Sequence, residues 1–108
     1  MLFRSQAQAC YLAGQAAEKA LNALVLATGI TPPYRHSLER LVEMLHSQGL
    51  DTSALMDLPL KSLTRMNSDS RNPQGDEAPV DLFGARDSRQ ALDTAAAVVR
   101  LVAAELTT

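Results

Sequence analysis

The most informative part of this chain is the segment Cys10-Tyr11-Leu12-Ala13-Gly14-Gln15-Ala16-Ala17-Glu18-Lys19-Ala20-Leu21. Small and apolar residues recur in and around it at spacings of three and four, which places them on one side of an α-helix. That side consists of Ala7, Cys10, Gly14, Ala17, Leu21 and Leu24. Because most of these side chains are small, the pattern predicts a helix that a neighbouring helix approaches closely.

Length and composition predict a single all-α domain over residues 1–108. The chain is 46% hydrophobic but only 4% aromatic and contains no Trp, so its core must be built from Leu, Val, Ala and Met. Strands would require more β-branched and aromatic residues. The net charge is −2 with both signs interspersed, which argues against a general nucleic-acid-binding surface.

Helix-breaking residues divide the chain into an antiparallel helical bundle of about four helices. The first helix is predicted over residues 2–28 and ends at Gly29, which can adopt the left-handed conformation of a C′ residue. The second begins near Ser37 as N-cap and stops near Gly49. The third covers residues 52–67 with a break at Pro59. Turn-forming residues predict a loop over residues 68–83, and the last helix is predicted over 87–106 with Asp87 or Ser88 as its cap.

Apolar residues at helical spacing predict which side of each remaining helix is buried. The second helix presents Leu38, Leu41, Val42 and Leu45, and the third presents Leu60, Leu63 and Met66. The last helix carries a broad stripe that consists of Leu92, Ala95, Ala96, Val99, Val102, Ala103 and Leu106.

Nothing in the sequence indicates a metal or a cofactor. Cys10 is the single cysteine and lies on the apolar side of the first helix, which favours a buried, inert thiol. His36 and His46 are ten residues apart, too far along one helix to bind the same metal ion. The sequence has no apolar run long enough to span a membrane and no signal-peptide pattern, so we expect a cytoplasmic protein.

Four segments together resemble the HEPN domain family, a group of small helical domains. Residues 15–21 match the family's Gln-Ala-Ala-Glu-Lys-Ala-Leu core, and His36-Ser37-Leu38 resembles the start of its next helix. Arg71-Asn72-Pro73 resembles the family's Arg-Tyr-Pro element, with Asn72 in place of Tyr. Ala91 and Ala95 are similar to the small residues of its final helix. The resemblance covers most of the chain and implies a HEPN-like bundle.

The sequence departs from the family pattern in two respects. Only 14 residues precede Gln15, so the helix that usually leads the family's motif is expected to be absent. A bundle without that helix would expose an apolar side, which a second copy of the chain could cover. HEPN ribonucleases also carry a His four to six residues after the Arg, whereas Arg71 is followed by Asn72-Pro73-Gln74-Gly75-Asp76-Glu77-Ala78.

The resemblance implies a ligand site that includes Arg71, with Lys19, Glu18 and Gln15 as further candidates. A guanidinium can hold a phosphate or a carboxylate through its planar set of donors. The alternative for Arg71 is an ordinary loop charge, or an ion pair with Asp69 or Asp76. For the helix residues the alternative is structural, with Lys19 extending to water and Glu18 satisfied by a neighbouring helix. No catalytic residue is predicted.

The family implies a role in nucleotide or RNA biology. We expect a homodimer that acts as a non-catalytic accessory module, either as the nucleotide- or substrate-binding companion of a nucleotidyltransferase or as a toxin–antitoxin component. One alternative is an enzyme, a metal-independent ribonuclease with an altered site around Arg71. Another is a helical dimer scaffold without a small ligand.

Overall fold

The computed structural model describes residues 6–32, 37–71 and 85–107, with the side chains of residues 66–71 not included. These residues form five helices and no strand, so the predicted all-α bundle is confirmed. The helices are α1 (Gln6–Ala27), α2 (Leu38–Ser47), α3 (Ser53–Met56), α4 (Leu60–Arg71) and α5 (Ala85–Leu106).

Local signals at the helix ends act as predicted. Gly29 and Gly49 follow α1 and α2 with φ angles of +94° and +90°. Residues with a Cβ rarely adopt this backbone conformation. Ser37 caps α2, because its hydroxyl accepts a hydrogen bond of 3.1 Å from the backbone N–H of Arg40. Ile30 follows Gly29 and packs against the core.

The third predicted helix is divided at Pro59 into α3 and α4, as expected for a residue that lacks an N–H donor. The predicted loop, however, begins too early, because α4 continues through residues 68–71. The burial of Leu60 and Leu63 stabilises the start of α4, so the entropy cost of nucleating a helix is already met. Each further residue then adds one helical hydrogen bond, and this gain outweighs the turn preference of Ser and Asp. The rest of that predicted loop lies outside the described residues.

The last helix begins at Ala85 rather than at a cap formed by Asp87 or Ser88, so that prediction is wrong. Ser88 is buried inside the helix, where its hydroxyl donates to the backbone carbonyl of Ala85 at 3.1 Å. The same hydroxyl contacts the Oε1 of Gln6 on α1. A contact between helices therefore overrides the local preference of Ser for a cap position.

The core is organised around α1, which packs most extensively against α5, then against α4 and α2. All six residues of the predicted α1 stripe and all four of the α2 stripe are buried, as are Leu60 and Leu63. Met66, the third residue predicted for the α4 stripe, has a side chain outside the described set. The periodicity of the sequence therefore identified the core side of α1 and α2 correctly.

The contact between Gln6 and Ser88 joins the first turns of α1 and α5. Both helices are 22 residues long and pack side by side, so they start at the same end of the bundle and run parallel. The Gln6 and Ser88 side chains thereby mark the line along which the two helices touch.

The predicted apolar stripe of α5 is only partly buried. Ala95 and Val102 lie in the core together with Ala91 and Val98, but Leu92, Val99 and Leu106 are 38%, 43% and 50% exposed. Ala96 and Ala103 are exposed as well. Apolar residues cover a wider arc of α5 than the bundle buries, and the buried side is the one that carries Ser88, Ala91, Ala95 and Val98.

Candidate functional site

Three polar side chains form a row along α1, which we call the α1 polar row: Gln15, Glu18 and Asn22. They are separated by three and four residues and therefore share one side of the helix. All three are half-buried. Our sequence interpretation missed Asn22, although its position four residues after Glu18 is the signal that could have identified it.

The α1 polar row lies away from α5. Sixteen residues separate Gln6 from Asn22, which corresponds to a rotation of about 160° around the helix. Since Gln6 marks the contact with α5, the row is turned away from α5. The other neighbours of α1 are α4 and α2. The half-burial of the row agrees with this placement.

Asn22 supplies a buried polar atom to the α1 polar row. Its Oδ1 is buried and makes no hydrogen bond among the described residues. A buried amide oxygen without a donor costs about 1–3 kcal/mol. It can accept from an N–H group, such as a guanidinium or the exocyclic amine of a base, so the row has an unused acceptor beside the Glu18 carboxylate.

Lys19 lies at the solvent edge of the row. It follows Gln15 by four residues, so the two side chains are neighbours on the helix surface, and Lys19 is exposed whereas Gln15 is half-buried. Its ammonium group can meet an anion from the solvent side without being taken out of water. Its predicted part in a ligand site remains a prediction.

Arg71 is the last residue of α4 rather than a loop residue, which corrects our placement of it in the loop. The side chain of Arg71 lies outside the described set. Its role in a ligand site, and the alternative of an ion pair with Asp69 or Asp76, therefore both remain predictions. Two facts bear on it. α4 packs extensively against α1, the helix that carries the polar row. A cation in the last turn of a helix is also favoured by the helix dipole, which supports the structural alternative.

Among the residues that the structure describes, no group of three or more His, Cys, Asp or Glu side chains could hold a metal ion. His46 is exposed at the end of α2, and His36 lies outside the described residues. Cys10 is fully buried. Burial, with a smaller contribution from the nearby Asp87 carboxylate, raises the pKa of the Cys10 thiol.

None of the helices in the described ranges is both long enough and apolar enough to cross a membrane.

The fold and its central small-residue helix define a compact all-α helical bundle. Comparison with protein families identifies it further, since the HEPN domain family model matches residues 5–106, nearly the whole chain. The chain therefore belongs to the HEPN domain family. Comparison with curated proteins and with solved structures gives no match.

Proposed function

We propose that this HEPN domain is a non-catalytic accessory module of the cytoplasm that binds a nucleotide as the companion of a nucleotidyltransferase or within a toxin–antitoxin pair. The observation that carries the proposal is the sequence after Arg71, where none of the next seven residues is a His. Cleavage of RNA needs a group that moves a proton at neutral pH, and His is the side chain best suited to it. Without it, binding is the chemistry that remains.

The proposed ligand site combines Arg71 with the α1 polar row. The Arg71 guanidinium would hold a phosphate through paired charge-assisted hydrogen bonds. The Gln15 amide and the Asn22 Oδ1, which has no partner within the described ranges, would contact the base or the sugar. Lys19 would meet phosphate charge at the solvent edge. The support for this arrangement is that α4, which ends at Arg71, packs against α1.

Titration calorimetry with ATP, GTP, CTP and UTP tests the proposal. At least one nucleotide should bind the wild-type protein, and Arg71→Ala should weaken that binding about tenfold or more, since a hydrogen bond to a charged group contributes about 1.5–3 kcal/mol. Arg65→Ala is the matched control, because Arg65 is an exposed arginine of the same helix. This variant should bind the nucleotide as tightly as the wild type does.

The alternatives give different results in the same set of variants. Metal-independent cleavage of RNA that is lost in Arg71→Ala would favour the ribonuclease with an altered site. Absence of nucleotide binding, together with a large fall in melting temperature for Arg71→Ala, would favour a helical scaffold in which Arg71 stabilises the end of α4. Titration of a candidate nucleotidyltransferase against both variants distinguishes a protein contact from a nucleotide contact.

We also infer that the module is a homodimer, from exposed apolar residues on α1 and α5. The contact between Gln6 and Ser88 separates two sides of the α1–α5 pair: the core residues lie on one side and these exposed apolar residues lie on the other. Because the two helices run parallel, the exposed residues of both helices share one outer surface. We call it the outer α1–α5 face, formed by Leu12, Ala16, Ala23, Leu92, Ala96, Val99 and Ala103. Ala20, four residues after Ala16 on α1, packs against the core and is not part of this face.

A further inference from the structure

A groove between α2, α3 and the start of α4 is independent of the proposed nucleotide site, because it shares no residue with the α1 polar row. Its volume is about 280 Å³. It is lined by Glu39, Val42, Glu43, Met56, Leu58, Leu60 and Lys61.

The interior of the groove is apolar. Val42 and Leu60 are buried at its base, and Leu58 is half-buried in the linker between α3 and α4. Met56 stands at its edge with 52% of its surface exposed. A long, unbranched thioether adapts to side chains of different shape, and exposed methionines are common on surfaces that bind apolar peptide segments.

The walls of the groove are held in place by side-chain hydrogen bonds. The Thr64 hydroxyl donates to Glu39 Oε1 at 2.8 Å and accepts from the backbone N–H of Leu38 at 3.2 Å, which joins α4 to α2. Before α3, the Asp51 carboxylate accepts from the hydroxyl and the backbone N–H of Ser53 at 2.8 and 3.1 Å. The groove is therefore formed before any ligand arrives, which lowers the entropy cost of binding.

Charge and size determine which ligand fits. Two carboxylates, Glu39 and Glu43, lie on the α2 side, and Lys61 lies on the α4 side. Arg40 bonds Glu43 at 3.2 Å, but both side chains are more than 60% exposed, so this pair is weak and can be exchanged. The volume is just below the usual range of small-molecule pockets, and carboxylates repel phosphates, so a nucleotide is disfavoured.

We propose that the groove docks a segment of a partner protein that carries a large apolar side chain and, next to it, a Lys or Arg. The apolar side chain would fill the space between Val42, Leu58 and Met56. The cation would displace Arg40 and bind between Glu39 and Glu43. An amphipathic helix with the two residues three or four positions apart presents both groups on one side.

A phage-displayed library of random dodecapeptides, selected on the immobilised full-length protein, tests the proposal. The enriched peptides should share a Leu, Met or Phe with a Lys or Arg close by. Fluorescence anisotropy of a labelled enriched peptide should show binding that Met56→Glu weakens about tenfold or more, about 1.4 kcal/mol. Glu43→Arg should weaken it as well. Leu26→Glu is the matched control, because Leu26 lies on α1, outside the groove, and is 56% exposed. This variant should bind the peptide as tightly as the wild type does.

Circular dichroism establishes that each variant is folded before binding is compared. The proposal is overturned if no peptide is enriched, if the enriched peptides are acidic, or if Met56→Glu binds them as the wild type does. It is also overturned if Met56→Glu disrupts self-association in sedimentation, since the groove would then be covered by a second copy. Nucleotide binding should be the same in wild type and Met56→Glu, which separates this proposal from the proposed nucleotide site.

Discussion

The Thr64 hydroxyl and the Glu39 carboxylate lie 2.8 Å apart and connect the middle of α4 to the first turn of α2. The same hydroxyl accepts the backbone N–H of Leu38, one of the four N–H groups that the start of a helix leaves without a helical partner. One side chain therefore satisfies a backbone donor and a carboxylate on another helix. Thr64 therefore ties α4 to the start of α2.

Replacement of this hydroxyl should destabilise the fold. Thr64→Val keeps the shape of the side chain but removes a donor and an acceptor, so we expect the free energy of unfolding to fall by about 1–3 kcal/mol. Urea denaturation followed by circular dichroism measures it. Thr64→Ser is the control, since it retains the hydroxyl and should lose less. A larger loss in Thr64→Ser than in Thr64→Val would show that the methyl group, not the hydroxyl, stabilises the contact.

The Cys10 thiol should be unreactive in the folded protein. It is fully buried and its pKa is raised, so little thiolate exists at neutral pH. Alkylation by iodoacetamide at pH 8 should be slow in buffer and rapid in urea. Rapid alkylation of the folded protein would contradict the buried placement of α1.

The raised pKa of Cys10 also predicts how stability depends on pH. The folded state retains the thiol proton to a higher pH than the unfolded state, so the contribution to stability is complete below the unfolded pKa. It is lost as pH rises through the higher folded pKa. Thermal melts from pH 7 to 10 should show a decline that is smaller in Cys10→Ala.

Gly14 should not tolerate a large side chain. It is buried on the core side of α1, where neighbouring helices pack closely. Gly14→Leu forces bulk into this contact, and we expect a loss of about 1–3 kcal/mol or more in the free energy of unfolding. Ala27→Leu at the exposed end of the same helix is the control. An unchanged melting temperature for Gly14→Leu would refute the close approach.

A charge placed on the outer α1–α5 face should separate the proposed dimer. Leu92 and Val99 are 38% and 43% exposed, so glutamate at either position leaves the core intact while it makes the face polar. Sedimentation should show a dimer for the wild type at micromolar concentration and a monomer for Leu92→Glu and Val99→Glu. Met56→Glu is the control, because Met56 is an exposed apolar residue outside this face, and that variant should remain dimeric. A well-folded wild-type monomer would remove the basis for this prediction.

The residues of the candidate site differ in how far the sequence could place them. The motif from Gln15 to Leu21 lies on α1, and the family match over residues 5–106 confirms the resemblance that rested on it, whereas the part of these residues in a ligand site stays a prediction. Asn22 was missed because its spacing of four residues from Glu18 does not show that its amide is buried, and that burial arises only from packing. Arg71 was placed in a loop because Ser and Asp around it favour turns, whereas α4 continues through them.

Local chemistry determined much of this protein. Apolar spacing specified the buried sides of α1 and α2, Pro59 divided α3 from α4, and Gly29 and Gly49 ended helices, because each effect depends on neighbours in the chain. The tertiary structure alone decided how α5 is turned, with Ser88 in the core and Leu92 outside. It also decided the groove beside Met56, which joins residues of three elements. Those features arise from contacts between distant segments, and helical periodicity carries no information about which helix a given side will meet.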